Sequence, residues 1–191
     1  MTRVALFALT VLLASAAVRA ADAPEAVFAG TARIGTDTRQ ATFRFGCSSN
    51  RGPNLTGVLG VELEIPRAAE LMPAFDVIPF EGPDAEAGAL THLEASGGTA
   101  KARDDFTASG WYPVTDSGTS FAWGVNASRR AAKEMRKLAP VLRPLTGGGG
   151  RLVWRQGNAA KGGPPLIATL AFGPVETERL KAAIGACLPG G

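Results

Sequence analysis

Cys47 and Cys187 are the only cysteines in this chain of 191 residues, one near each end of the sequence that follows an apolar leader. The leader sets their chemistry. Arg3 opens it, Val4 to Ala17 is almost unbroken apolar sequence, and Val18-Arg19-Ala20 places small residues at the two positions a signal peptidase reads. Residues 1–20 are therefore predicted to be a signal peptide and residues 21–191 a single exported domain. In an oxidising compartment two cysteines this far apart form one disulfide rather than two thiols. Closing so long a loop contributes about 4 to 5 kcal/mol in the chain-entropy model, reduced by any strain in the folded state. Any fold for this chain must bring its early and its last elements together.

Beyond the leader, apolar residues alternate. Val27 to Ile34 and Gln40 to Ser48 are predicted strands joined by Gly35-Thr36-Asp37-Thr38, and Ala41, Phe43, Phe45 and Cys47 share the face opposite Thr42 and Arg44. Cys47 thus points to the core. A third strand runs from Leu55 to Ile65, with Leu59, Val61, Leu63 and Ile65 inward and Glu62 and Glu64 outward. Pro73, Pro79 and Pro83 interrupt the segment from Pro66 to Gly88, which is predicted as loop with a short helical turn at Ala68 to Met72. Strands are also expected at Ala89 to Ala95, Thr99 to Phe106, Arg151 to Gln156 and Leu166 to Phe172. Gly110 to Thr115 and Ser120 to Asn126 form a hairpin around Asp116-Ser117-Gly118-Thr119. Two helices complete the pattern. Ser128 is the expected N-cap of the first, in which Ala131, Ala132, Met135, Leu138, Ala139 and Leu142 repeat at helical spacing before Pro144 ends it. The second, about Glu176 to Cys187, puts Leu180, Ala183, Ile184 and Cys187 on one face. The fold class is therefore α+β: a mostly antiparallel β-sheet with two packed helices in a single disulfide-stapled domain.

The 20 basic and 17 acidic residues nearly balance once Arg3 and Arg19 of the leader are set aside. Their placement is uneven. Residues 62–94 carry Glu62, Glu64, Glu70, Asp76, Glu81, Asp84, Glu86 and Glu94 against Arg67, while residues 129–161 carry Arg129, Arg130, Lys133, Arg136, Lys137, Arg143, Arg151, Arg155 and Lys161 against Glu134. Such blocks face one another, are solvated apart, or form a dipolar surface that steers a charged partner. No second apolar stretch approaches the roughly 18 residues that span a bilayer, so no stable membrane insertion is expected after cleavage. The composition is rich in alanine, glycine and proline and poor in lysine, which suits a high-GC bacterial genome and a periplasmic or secreted protein. The Asn-x-Ser/Thr triplets at Asn54 and Asn126 are then chance occurrences.

The candidate chemistry is sparse. His92 is the sole histidine, which argues against a His-centred metal site and leaves one possible base for a Ser-His-Asp arrangement; a partly exposed strand position is expected for it. Asp116-Ser117-Gly118 resembles the Asp-Ser/Thr-Gly loop of aspartic proteases, whose chemistry needs two carboxyls sharing a proton, so a small hydrolase using Asp116 would need a homodimer. Asp76, Glu81, Asp84 and Glu86 lack the spacing of a calcium loop, and the glycines around Lys161 lack the order of a phosphate cradle. Asp104 and Asp105 would face opposite ways on a strand. No catalytic residue, metal or cofactor is assigned from the sequence, and no nucleic-acid partner. The candidate binding residues are Trp111 and Tyr112, on the same hairpin as Phe121 and Trp123, and the basic helix residues Arg129, Arg130, Lys133, Arg136 and Lys137. Exposed aromatics there would stack on a sugar or grip a peptide, whereas buried ones would serve the core. Met135 and Leu138 are weak membrane anchors, so the helix is expected to pack on the sheet.

The order of features in the second half has a further meaning. Phe121-Ala-Trp-Gly, the Lys/Arg-rich helix, Gly147 to Arg155, Leu166-Ile-Ala-Thr-Leu-Ala-Phe and the closing helix ending Ala-Cys187-Leu join the early strand Ala41-Thr-Phe-Arg-Phe-Gly-Cys47. In layout, over about two thirds of the chain, this resembles small periplasmic type VI secretion accessory proteins of the TagO/VasI kind. The resemblance implies a non-enzymatic α+β domain working at the envelope. The expected function is that of an exported, non-catalytic binding or accessory protein whose partner is an envelope protein or cell-wall component. An inhibitor or immunity protein of a wall-degrading enzyme, presenting the acidic residues 76–94 to a basic cleft, is the alternative.

Overall fold

The computed structural model describes residues 25–48, 58–71, 73–82, 88–114, 119–128 and 132–188; the leader and Asp116-Ser117-Gly118 lie outside them. Alternation governs the first of these stretches. β1 (Glu25–Ile34), β2 (Asp37–Ser48) and β3 (Val58–Ile65) form an antiparallel meander whose inward residues, Phe28, Phe43, Phe45, Leu59, Val61 and Leu63 among them, are buried. The predicted four-residue turn is shorter, because Ile34 pairs with Asp37 and leaves only Gly35 and Thr36 between the strands. Gly35 has φ +57°, the left-handed first position of a II′ hairpin turn, which a Cβ would strain.

β4 (Thr91–Gly97), β5 (Ala100–Phe106), β6 (Ser109–Trp111), β7 (Phe121–Ser128), β8 (Gly150–Gln156) and β9 (Leu166–Phe172) extend the meander to nine strands in the order β5-β4-β8-β9-β1-β2-β3-β7-β6. Every pairing is antiparallel. β5 and β6 stand at opposite edges, yet only Thr107 and Ala108 separate them in sequence. So short a link reaches about 10 Å, and the two edges must meet at that end. The sheet accordingly curls into a half-barrel. Helix α1 (Ala132–Leu142) contacts both β5 and β7 and so lies along the remaining seam, while α2 (Pro174–Ile184) packs on β1 and β2.

The hollow is filled from an unexpected source. Residues 66–88, predicted as loop with a short helical turn, lie between β3 and β4; their described part holds two 3-10 turns, Ala68–Glu70 and Ile78–Phe80, and buries Ala68, Leu71, Phe75, Val77 and Phe80. Prolines prevent a regular element there but not the burial of apolar side chains. Phe75 and Phe80 stack at 6.1 Å between centroids, and Trp123 meets both edge-on. Asn158, in the β8–β9 loop, secures the segment by donating to the Ala74 carbonyl at 2.8 Å and accepting from the Asp76 N–H at 3.3 Å. A second aromatic group, Phe28, Phe45 and Phe172, sits beneath α2 with centroids 5.3 to 5.9 Å apart.

Cys187 lies in a 3-10 turn, Gly185–Cys187, that follows α2, and it bonds Cys47 of β2 across 140 residues with the Cα atoms 5.8 Å apart. Ser128 is the last residue of β7, paired with Val58, and the described part of the first helix begins at Ala132; the start of the helix after Ser128, and with it the expected cap, lies outside the described residues. Pro140 remains inside α1, and a 3-10 turn, Arg143–Thr146, takes over before Pro144. Among the described residues no helix is long and apolar enough to cross a membrane.

Candidate functional site

Both helices pack against the inward-facing side of the sheet, and among the described residues no element covers the outer face where β2, β3 and β7 run side by side. Gly46 of β2 stands directly opposite Gly60 of β3, and Gly60 in turn faces Asn126 of β7. Glycine inside a strand weakens it by roughly 0.5 to 1 kcal/mol and marks a place where something approaches the backbone closely. Two of the three outer-face glycines here have an occupant within the chain. The Asn126 amide lies over Gly60, and the six-membered ring of Trp111 lies over Gly124. Gly46 has none among the described residues, for a Cβ built on it would meet none of their atoms within 4 Å.

The result is a trough of about 380 Å³ whose floor is Gly46 and Gly60 and whose walls are Glu25, Arg44, Glu62 and Asn126. Arg44 faces Glu62 across the strands but reaches diagonally, 3.2 Å to Glu64 and 4.0 Å to Glu25. Glu62 is left without an ion-pair partner among the described residues. Its carboxyl is raised above the ordinary range, first by burial and then by the Glu25 charge; Arg44 pulls the other way and Glu64 adds to the rise. The trough therefore presents an under-neutralised carboxylate beside an open glycine.

Asn126 also borders a second cavity, about 220 Å³, in the seam between β5, β7 and α1, where Asp105, Val125, Lys133 and Lys137 line it. Lys137 fastens the helix to the edge strand. Its Nζ donates to the Asp104 carboxylate at 3.0 Å and to the Asp105 carbonyl at 3.1 Å. Burial acts to raise the Asp104 carboxyl, but the Lys137 hydrogen bond, the Asp105 N–H and the Lys137 charge together hold it below the usual range. Asp104 and Asp105 do face opposite ways, the second accepting through Oδ1 from His92 Nδ1–H at 2.7 Å across the strands. His92 is the partly exposed strand residue expected. No hydroxyl among the described residues bonds its other ring nitrogen, and no group of three or more His, Cys, Asp or Glu side chains there is placed to hold a metal.

The sequence-derived binding residues separate in space. Trp111 lies on the outer face over Gly124, whereas Tyr112 turns toward Phe121, ring centroids 5.1 Å apart, so the two do not form one stacking platform. Burial, and then a hydrogen bond and charge from Glu81, raise the Tyr112 hydroxyl. Phe121 and Trp123 are core. Lys133 and Lys137 reach the seam, Arg136 is exposed on α1, and Arg129 and Arg130 fall outside the described residues. The acidic and basic blocks do not pair with each other among the described residues: Glu64, Glu70 and Glu94 bind Arg44, Arg39 with Arg67, and Lys101. Nor does the acidic segment stand clear of the surface, since Phe75, Val77 and Phe80 bury its middle. The glycine floor was missed from the sequence, although Gly46 and Gly60 interrupt the alternation at outward positions, which is the available signal. Compared with protein-family models, with curated proteins and with solved structures, the chain matches none.

Proposed function

We propose that this chain is an exported, non-catalytic binding protein of the bacterial envelope, periplasmic or secreted, and that the outer trough holds a peptide-bearing component of the cell wall. The apolar leader and a disulfide, a bond that persists in oxidising compartments, support the cellular address. The resemblance in layout to type VI secretion accessory proteins is in keeping with the same address.

The observation that carries the reading is Gly46. A glycine inside a twelve-residue strand, two residues before its end, at an outward position and with no described neighbour above it, weakens the sheet without serving the fold. It leaves room for a slender ligand. An amine on that ligand would pair with Glu62, and the Asn126 amide would exchange hydrogen bonds with its backbone or hydroxyls.

Gly46→Val separates binding from folding. The valine enters open space and improves strand propensity, so stability should hold or rise by a few tenths of a kcal/mol. Affinity for soluble muropeptides, measured by calorimetry, should fall more than tenfold. Equal binding by Gly46→Val and the natural chain would move the site elsewhere. Cleavage of the muropeptides, read by mass spectrometry, would overturn the non-catalytic assignment.

A further inference from the structure

The other half of the outer face has a different chemistry. The strand registers place Asp105, His92, Arg155, Ile167 and Arg33 in one row across β5, β4, β8, β9 and β1. The next row runs Arg103, Glu94, Val153, Thr169 and Thr31, and a third holds Lys101, Ser96 and Arg151. The acids of these rows are already committed, Glu94 to Lys101 at 2.7 Å and Asp105 to His92 at 2.7 Å. Arg33, Arg103, Arg151 and Arg155 are exposed and have no carboxylate partner among the described residues; Arg151 touches only the Thr169 hydroxyl, at 3.4 Å. Strands two apart are separated by about 10 Å and four residues along a strand by about 13 Å, so these guanidiniums form an open grid.

From this grid we infer a second binding surface, independent of the trough, for a linear anionic polysaccharide. Guanidinium groups take carboxylate, sulfate or phosphate oxygens in paired hydrogen bonds, and the unneutralised grid is complementary to a chain with repeating negative charge. Between the arginines lie Thr31, Thr169 and Ser96, hydroxyls that exchange hydrogen bonds with sugar hydroxyls. Beside Arg33 an indentation of about 140 Å³, walled by Gly35, Pro164, Pro165 and Ile167, gives one end of the row depth enough for a ring substituent.

Other polyanions fit less well. No Phe, Tyr or Trp lies on these rows to stack a nucleic-acid base, and the one ring there, His92, is held by Asp105 at 2.7 Å. None of the exposed large apolar residues, Val27, Ile78, Tyr112, Val114 and Val175, falls there to wedge into a bilayer. The face is a sheet surface, without the projecting helix or ribbon that enters a duplex groove.

The test uses the full chain with heparin and with polygalacturonate, titrated across a range of salt. The double variant R33E/R155E should lose at least about tenfold in affinity for both, and its dependence of log affinity on log salt should be shallower by about two. The milder R33Q/R155Q should fall between, while R136E on α1 and G46V should bind as the natural chain does. Thermal melts establish that each variant is folded. Undiminished binding by R33E/R155E, an equal loss in R136E, or tighter binding to anionic phosphatidylglycerol vesicles or single-stranded DNA than to either polysaccharide would each overturn the inference.

Discussion

On the outer face, the β5-β4-β8-β9 half of the sheet carries Arg103, Arg151 and Arg155 with its acids already bound, whereas the β2-β3-β7 half carries glycines and the carboxylates of Glu62 and Glu64 around a single Arg44. Beneath, the two halves are alike. Leu93, Leu152, Trp154 and Leu170 under the first are as buried as Phe43, Phe45, Val61 and Leu63 under the second. One inner surface thus supports two outer ones, because alternation commits only every second residue to the core. The halves are also held differently. The disulfide and α2 clamp β1 and β2, while Lys137 is the polar fastening of α1 to the β5 edge.

The largest way to break this comparison is to remove the clamp on one half only. Cys47→Ala with Cys187→Ala should lower stability by about 3 kcal/mol or more and the melting midpoint by on the order of 10 °C. Hydrogen exchange should then rise in β1, β2 and α2 before it rises in β4 and β8; uniform opening would mean that the two halves are one cooperative unit.

Lys137→Ala tests the other fastening. Both partners are about a third exposed, so after solvent screening the expected loss is about 1 kcal/mol. The sign of its pH dependence follows from the lowered Asp104 carboxyl. That contribution is present above the unfolded carboxyl's pKa and is lost as pH falls through the folded one, so the acid limb of a stability curve should become shallower in the variant. An unchanged limb would remove Lys137 from the seam.

Glu62→Gln has the smallest expected effect and the opposite sign. With its carboxyl raised, chiefly by burial, ionised Glu62 disfavours the fold at neutral pH, and the penalty is relieved as pH falls through the raised pKa toward the unfolded one. The glutamine should raise the melting midpoint at pH 7 by no more than about 2 °C and leave it unchanged near pH 3. A lower midpoint at pH 7 would show that Glu62 has a cation partner in solution.

Much of the architecture was legible in the local pattern. Strand β9 was predicted at its observed bounds, β1, β3, β4, β5 and β8 within a few residues, and Cys47 and Cys187 were both expected to point inward and to bond. Phe75 and Phe80 were hidden because proline-broken sequence has no period to reveal which residues turn inward. Of the candidate site, Glu62 and Arg44 could each be placed on an outward face, but not opposite one another.

By itself the sequence determined which residues form strands, which face of each is apolar, and that one covalent bond ties the early sheet to the closing turn. All three follow from short-range spacing and cysteine chemistry. Only the tertiary structure decided that β5 and β6 meet at one end of a curled sheet, that Gly46 lies beside Gly60 and Asn126, and that Arg33 shares a row with Arg155. The physical reason is register. A strand's own residues specify which side faces the core, but its neighbours are chosen by burial and hydrogen bonding summed over the whole sheet, and the outer face inherits that choice.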